Sequence, residues 1–237
     1  MTNEILFLPG MMLDDDMWSG QIGALKKIGR CRVGALSGAD SIEGLADQAL
    51  AVMAQPSHVV AFSMGAIVAM AMWRRAPRGI RSLSLLGFSP HADAPERAPA
   101  RRRMMERAQC EAAENMVLKE MAPRYFSPKA DERQIPGWTQ RIAGAATRLG
   151  SGVLRNQLQA QLNRPNSVPT LETISVPTLV MIGEDDQLVE RSDFLLTKKR
   201  IPGARHGTIS SSGHMLMFEQ PDAVNTHLLD FLQSVNS

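Results

Sequence analysis

One serine lies between two apolar runs in the segment HVVAFSMGAIVAM, residues 58–70. The run before Ser63 has the length and composition of a buried strand, and the Ala-rich run after Gly65 is typical of a buried helix. A serine at such a junction can cap the helix with its hydroxyl. It can also be a nucleophile, provided that a neighbouring base takes its proton during attack. The nucleophile hypothesis is favoured, because residues suited to that chemistry follow other predicted strands.

A histidine that could act as this base follows a later apolar run. His214 comes after the small residues SSSG and before a predicted helix, in a loop that could bring an imidazole over a serine hydroxyl. The other histidines are less suited. His58 and His206 lie at or in predicted strands, and His227 lies in the last helix. His91 lies in a loop that could line a pocket.

An acidic turn completes the set. The apolar run VPTLVMI leads into GEDD, so that Glu184, Asp185 and Asp186 all follow a predicted strand. A carboxylate beside a catalytic histidine fixes its tautomer and stabilises its charged form. The three residue types therefore occur in the chain order serine, acid, histidine.

The elements that must position these residues alternate between strand and helix. Strands are predicted at 4–10, 31–36, 58–62, 82–89, 176–186 and 204–210, with helical patterns between most of them. Such alternation indicates βαβ units, and hence an α/β fold with a mostly parallel sheet of about six strands and helices on both faces. Ligands bind beyond the carboxyl ends of such strands, which is where the serine, the acids and the histidine fall.

The alternation is interrupted once. Residues 90–166 contain no strand-like run and are rich in Ala, Arg and helical patterns. We interpret this segment as a helical cap. Residues 1–89 and 167–237 would form the α/β core into which the cap is inserted. The arginines at its start, Arg97, Arg101–Arg103 and Arg107, are interpreted as a solvated helix face; attraction of an anionic substrate is the alternative.

Four of these segments together resemble the α/β-hydrolase superfamily, of the small, cap-bearing serine esterase type, over nearly the whole chain. AFSMGA resembles the nucleophile elbow G-x-S-x-G, with Ala61 at the position that usually holds glycine. FLPGMM resembles the oxyanion loop, and SSGHMLMFEQPDAVN is similar to the histidine loop. IGEDDQLV is similar to the G-x-x-D turn, which favours Asp186 over its two acidic neighbours.

The resemblance implies a serine hydrolase that cleaves small carboxylic esters through an acyl-enzyme. Ser63 would be the nucleophile, His214 the base and Asp186 the acid, while the backbone N–H groups of Met11 and Met64 would form the oxyanion hole. No metal and no other cofactor is implied. Thioesters or lactones as substrates, a lyase or C–C bond hydrolase, and a non-enzymatic small-molecule receptor are the alternatives.

Met12 and Met215 are assigned to substrate binding, because flexible thioethers near the site could form an adaptable acyl pocket. Ordinary core filling is the alternative for both residues, as it is for the nearby Met217.

Composition limits the partners. The net charge of +2 does not suggest a nucleic-acid partner, and no apolar stretch is long enough to span a membrane. No secretion signal is recognised at the N-terminus, which leads us to expect a cytoplasmic protein. The expected partner is a small-molecule ester, and the chain is expected to be a monomer or a homodimer.

Overall fold

The computed structural model describes residues 3–236. Six parallel strands form one sheet in the order β2-β1-β3-β4-β5-β6. The strands are β1 (Glu4–Leu8), β2 (Arg30–Val33), β3 (Ser57–Phe62), β4 (Ile80–Leu86), β5 (Thr178–Gly183) and β6 (Arg205–Ile209). The α/β fold predicted from the sequence, with a parallel sheet of about six strands, is therefore confirmed.

Helices connect and cover these strands. The α-helices are α1 (Ser19–Leu25), α2 (Ile42–Ala51), α3 (Met64–Arg75), α4 (Ala98–Arg107), α5 (Ala113–Met116), α6 (Ile135–Leu162), α7 (Val168–Leu171), α8 (Arg191–Arg200), α9 (Leu216–Glu219) and α10 (Pro221–Asn236). Short 3₁₀-helices occupy Asp15–Trp18, Pro77–Gly79, Pro95–Arg97 and Ala122–Arg124, and Val117–Met121 is π-helical. None of the helices in the described residues has the length and apolar character that crossing a lipid bilayer requires.

The central strands are apolar because both faces of the sheet are covered. Every residue of β1, β3 and β5 is buried. Strands buried in this way read as continuous apolar runs rather than as alternating ones. The edge strand β6 has three exposed residues of five, consistent with its less apolar sequence RHGTI.

The segment between β4 and β5 forms only helical elements in the described chain, α4 to α7 with their 3₁₀ and π-helical turns. The longest, α6, is interrupted at Gly150, whose φ of 77° is outside the helical region. Several contacts join this segment to the sheet's loops, and two of them lie near Ser63 and His214. Gln157 of α6 bonds to the loop after β1, and the carbonyl of Tyr125 accepts the N–H of Met215 after β6 (3.1 Å).

One helix, α8, has no counterpart in the sequence-based prediction. Its sequence RSDFLLTKKR lacks an apolar stripe: Phe194 and Thr197 are its buried residues, whereas Leu195 is half-exposed. Hydrophobic periodicity is the main sequence signal for a helix, so a helix that buries so few side chains gives little of it.

Helix α3 packs directly against the end of β1. All its residues from Met64 to Trp73 are buried. A Cβ atom added at Gly65 would lie 2.4 Å from the carbonyl oxygen of Leu8 and 2.7 Å from that of Pro9. Both neighbours are backbone atoms, so they cannot rotate away as a side chain would. Gly65 is therefore what permits this close approach of helix and strand.

We expect Gly65→Ala to lower the free energy of unfolding by about 1–3 kcal/mol, because the added methyl group overpacks a site that cannot relax without moving backbone. Gly23→Ala is the matched control. An added Cβ at Gly23 meets nothing within 4 Å, and this exposed position in α1 should gain about 0.5–1 kcal/mol from the better helix former. Urea unfolding of the two variants measures both effects, and equal stabilities would contradict the close-packing argument.

Candidate active site

Ser63 occupies a strained turn between β3 and α3. Its φ of 52° and ψ of −114° are rare for any residue but glycine. The backbone is held there from both sides, since the Ser63 N–H donates to the carbonyl of Leu86 (2.9 Å) and the Ser63 carbonyl accepts from the N–H of Ala66 (3.0 Å). The side chain makes no capping hydrogen bond to α3. The helix-cap interpretation of this serine is therefore wrong.

The Ser63 hydroxyl instead contacts an imidazole. Its Oγ lies 3.0 Å from Nε2 of His214, and Nδ1 of the same ring lies 2.8 Å from Oδ2 of Asp186. An ionised carboxylate can only accept, so Nδ1 carries a proton, and Nε2 is free to accept the proton of the serine hydroxyl. The structure thus brings together the three residues that the sequence analysis selected from different strand ends.

The imidazole of His214 is closely packed. The ring is buried, and its centroid lies 4.7 Å from that of Phe62. On another side is Gly87, where an added Cβ would lie 3.1 Å from the ring atom Cε1 and where φ is +55°. A side chain at residue 87 would be strained and would press on the ring. The imidazole is thereby confined to the orientation that its two hydrogen bonds require.

Asp186 is buried and fully bonded. Its Oδ1 accepts the backbone N–H groups of Leu188 (2.8 Å) and Val189 (3.0 Å), while Oδ2 bonds to His214. Burial alone would raise the pKa of this carboxyl, but His214 and the two backbone donors outweigh it and hold the pKa below its usual value. The carboxylate therefore stays ionised at neutral pH.

The two neighbouring acids have other partners. Asp185 accepts from the hydroxyl of Ser127 (2.6 Å) and from the ammonium group of Lys129 (3.1 Å). Glu184 accepts the N–H of Ser211 (3.2 Å). Only Asp186 of this acidic turn bonds to the imidazole among the described residues, as the G-x-x-D resemblance predicted.

Two backbone N–H groups, one next to Ser63 in the chain and one in the wall of its cavity, have no acceptor in the described part of the chain. Met64 is the first residue of α3, so its N–H has no partner within the helix and lies at the positive end of the helix dipole. Met11 lines the same cavity as Ser63, and within residues 3–236 the structure shows no acceptor for its N–H. An N–H without an acceptor can bind an anionic oxygen.

The next residue of the same loop is held by a buried amide. Met12 has a φ of 55°, and its N–H donates to Oε1 of Gln157 (2.8 Å). Nε2 of Gln157 donates in turn to the carbonyl of Leu36 (2.6 Å). Gln157 belongs to α6, so a helix between β4 and β5 fixes the loop that carries the Met11 N–H.

A buried carboxylate fixes the histidine loop in a similar way. Glu219 accepts the N–H of Gly213 through Oε1 (2.8 Å) and that of Ser127 through Oε2 (2.7 Å). Burial, together with the charges of Asp185 and Asp186, raises the pKa of Glu219, and the two N–H bonds oppose this. The residue before His214 is thus tied to the segment that precedes α6.

A cavity of about 630 Å³ opens on Ser63 and His214. Apolar side chains from the sheet's loops and from the helical segment line much of it, among them Leu13, Ile67, Met104, Met121 and Leu158. The buried Tyr125 also lines it, and burial raises the pKa of its hydroxyl, which therefore remains a neutral donor. A cavity of this size and lining suits a small organic molecule.

The structure does not bring Met12 or Met215 to this cavity. Both side chains are completely buried in the hydrophobic core, and neither is among the lining residues. Three other methionines of the described chain, Met11, Met104 and Met121, line the cavity instead. The core-filling alternative fits the positions of Met12 and Met215.

Two of the arginines interpreted as a solvated face also line the cavity. Arg97 and Arg101 do so, whereas Arg102 and Arg103 are exposed and do not. His91 lies at the exposed rim, with Nε2 3.3 Å from Oδ1 of Asp193. Within the described residues, no three His, Cys, Asp or Glu side chains come together in a way that could hold a metal ion.

Sequence reasoning did not find Gln157, Glu219 or Tyr125. Each contacts at least one residue far away in the chain, and none lies in a pattern of its own. The one available signal was for Glu219, which is within the segment that resembles the histidine loop.

The comparisons with known proteins agree with the fold described above. A family model described as the alpha/beta hydrolase family matches residues 5–227. A Mycobacterium tuberculosis protein named non-heme bromoperoxidase BpoC is 28% identical over 193 residues, which are 77% of this chain and 70% of that protein.

Two further relatives carry esterase names. The pimeloyl-(acyl-carrier protein) methyl ester esterase of Neisseria meningitidis is 24% identical over 200 residues, 82% of this chain and 62% of that protein. A thermophilic esterase from Thermogutta terrifontis has a similar structure, with a TM-score of 0.89 and 24% identity over 99% of this chain and 91% of that one.

We expect Gln157→Leu to destabilise the fold by about 1–3 kcal/mol, because it leaves the Met12 N–H and the Leu36 carbonyl buried without partners. Gln140→Leu, at an exposed position of the same helix, should change stability by less than about 0.5 kcal/mol. Denaturant unfolding of both variants is the measurement. A Gln157→Leu protein as stable as the wild type would contradict the assignment of Gln157 as the anchor of this loop.

Proposed function

This chain belongs to the alpha/beta hydrolase family, and from that premise we propose that it is a serine hydrolase that cleaves small carboxylic esters through an acyl-enzyme. The observation that carries the proposal is the unbroken chain of hydrogen bonds from Ser63 through His214 to Asp186, set at a strained turn beside a cavity. Strained backbone of this kind persists where the surrounding structure enforces it, and it is concentrated at functional sites.

In the proposed first step, Ser63 Oγ attacks the ester carbonyl carbon while its proton passes to Nε2 of His214. The new C–O bond forms as the carbonyl π electrons move to the oxygen, which becomes an oxyanion. Asp186 keeps the proton on Nδ1 and stabilises the imidazolium that forms. The low pKa of Asp186 supports this role, since the carboxylate is ionised when the histidine becomes charged.

The oxyanion would be held by the backbone N–H groups of Met64 and Met11. Donors of this type are worth about 3–4 kcal/mol each to the transition state. Neither group depends on its side chain. The Gln157 bond to the adjacent Met12 N–H would keep the Met11 donor in position.

Collapse of the tetrahedral intermediate would break the bond to the alcohol oxygen, which takes the proton from His214 and leaves. Water then attacks the acyl-enzyme, with His214 again accepting a proton, and the carboxylic acid and free Ser63 are regenerated. The esterase names of the Neisseria and Thermogutta relatives favour an ester as the substrate.

The nucleophile assignment is tested with a fluorophosphonate probe and intact-mass measurement. We expect one adduct on the wild-type protein and none on Ser63→Ala, because the probe reacts only with an activated serine. Ser89→Ala is the matched control, since Ser89 lines the same cavity but is given no catalytic role; it should be labelled as the wild type is.

Absence of labelling and of turnover of p-nitrophenyl esters of graded chain length, in a protein whose fold is intact, would contradict the hydrolase proposal. The receptor alternative would then be favoured. Labelling that survives in Ser63→Ala would move the nucleophile to another residue.

The role of the acid is tested by Asp186→Asn. We expect kcat to fall by up to about 10⁴-fold, as it does when the acid of a serine protease triad is changed to an amide that stabilises the wrong histidine tautomer. Asp185→Asn is the control, because Asp185 bonds to Ser127 and Lys129 rather than to the imidazole. Equal kcat values for the two variants, measured with one p-nitrophenyl ester, would exclude Asp186 from the triad.

A further inference from the structure

A buried guanidinium with unused donors lies in the wall of the cavity. Arg164 follows α6, and its side chain is only 10% exposed. It makes one hydrogen bond, from Nη1 to Oε1 of Gln161 (3.1 Å), and its solvent-shielded Nε has no partner among the described residues. The neighbouring carboxylate of Asp93 is 3.9 Å from Nη2, beyond hydrogen-bond distance.

Arg101 makes the direct hydrogen bonds to Asp93, so Arg164 is joined to this carboxylate only by an ion pair at 3.9 Å. Both oxygens of Asp93 accept from Arg101, Oδ2 from Nε and Oδ1 from Nη2 (2.8 Å). Two arginines therefore share one buried carboxylate, and Arg101 makes both of its hydrogen bonds. Burial lowers the pKa of Arg164 to about 10, with Asp93 opposing the change, so the guanidinium is still charged at neutral pH.

The other charged groups on this wall do not bond to Arg164. Asp193 also acts on Arg164 through its charge, but it pairs with the imidazole of His91. The remaining charged residues that line the cavity are exposed to solvent, namely Glu96, Arg97, Glu120, Arg124 and Glu190. Water screens exposed charges, so they influence a bound molecule less than the buried group does.

An arginine whose role is purely structural is bonded differently in this chain. Arg141 of α6 donates to the carboxylate and the carbonyl of Asp16 and to the hydroxyl of Ser19. It thereby uses several donors to join the helical segment to the loop after β1. Arg164 is more deeply buried and makes fewer hydrogen bonds, although a buried charge needs partners more than an exposed one.

We propose that Arg164 binds a carboxylate of the substrate, and that the substrates of this protein are therefore esters or lactones that carry a free carboxylate at the end remote from the scissile carbonyl. The planar fork of a guanidinium matches a carboxylate with two parallel hydrogen bonds. Arg164 and Ser63 line the same cavity, so one molecule can reach both. This assignment rests on the proposed function, whose reaction it restricts to one substrate class.

The test compares matched esters. The monomethyl esters of straight-chain dicarboxylic acids, from succinate to suberate, are assayed beside the methyl esters of the corresponding ω-amides, which have the same shape without the charge. We expect kcat/KM to favour the acid over the amide by about 10- to 100-fold at the best chain length, the range of a hydrogen bond to a charged group. Arg164→Gln should abolish this preference while changing turnover of the amide ester by less than about threefold.

One further variant distinguishes the bidentate geometry of the Arg164 guanidinium from its charge, and another is a control at a second arginine. Arg164→Lys keeps the charge but not the bidentate geometry and should retain only part of the preference. Arg124→Gln removes an exposed arginine that lines the same cavity, and it should keep the full preference. If Arg164→Gln loses turnover of both esters, carboxylate binding is measured on the wild type instead. Adipamic acid should then slow fluorophosphonate labelling of the wild type, whereas adipamide should not.

The outcomes distinguish the two proposals. Labelling of Ser63 together with equal kcat/KM for acid and amide esters, and no selective protection by adipamic acid, would overturn the carboxylate site alone. A preference for the acid that survives in Arg164→Gln would also overturn it. Failure of labelling and of all ester turnover would overturn the hydrolase proposal, and the substrate class with it.

Discussion

The site depends on the contact between the backbone of α3 and the end of β1. Gly65 lies so close to the carbonyl oxygens of Leu8 and Pro9 that a Cβ atom at this position would clash with both. Because the helix begins so close to the sheet, the chain must turn sharply between β3 and α3, and the left-handed conformation of Ser63 follows. The same contact places the first N–H of α3 beside the loop after β1. The sharp turn of the proposed nucleophile and the positions of two potential anion donors thus result from one packing constraint.

Parallel strands bring functional residues to one edge of the sheet, but they do not fix the angle of a side chain. That precision comes from contacts with the helical segment between β4 and β5. Gln157 holds the loop after β1, and Glu219 ties the residue before His214 to Ser127. Both side chains are buried and bond to backbone N–H groups, so displacing either would leave buried donors without partners. The helical segment is therefore part of the active-site framework as well as the wall of the cavity.

The sequence predicted what is local or shared with a family. Ser63, Asp186 and His214 follow apolar runs in segments with recognisable motifs, and their meeting could be inferred from their places at strand ends together with the family resemblance. Ala61 in the place of the usual glycine could also be judged once the structure was known: it lies in β3, paired with Leu8 and Leu85, and its φ is negative, so no glycine conformation is required. The partners of Gln157 were beyond prediction, because contacts between residues more than a hundred positions apart leave no periodic signal. For Met12 the sequence offered both substrate binding and core filling and could not choose between them.

Two charged side chains are buried in different ways near Ser63 and its cavity, Asp186 behind His214 and Arg164 in the cavity wall. Asp186 is buried with both oxygens bonded, so its charge is stabilised before any ligand arrives. Arg164 is almost as deeply buried, yet its nearest carboxylate is already bound by Arg101. Leaving a buried charge incompletely paired costs stability, and replacing it with an apolar residue would often cost less. In the proposed complex a substrate carboxylate would supply the missing hydrogen-bond partner of Arg164, and the helical segment, rather than the strand ends, would then determine the substrate.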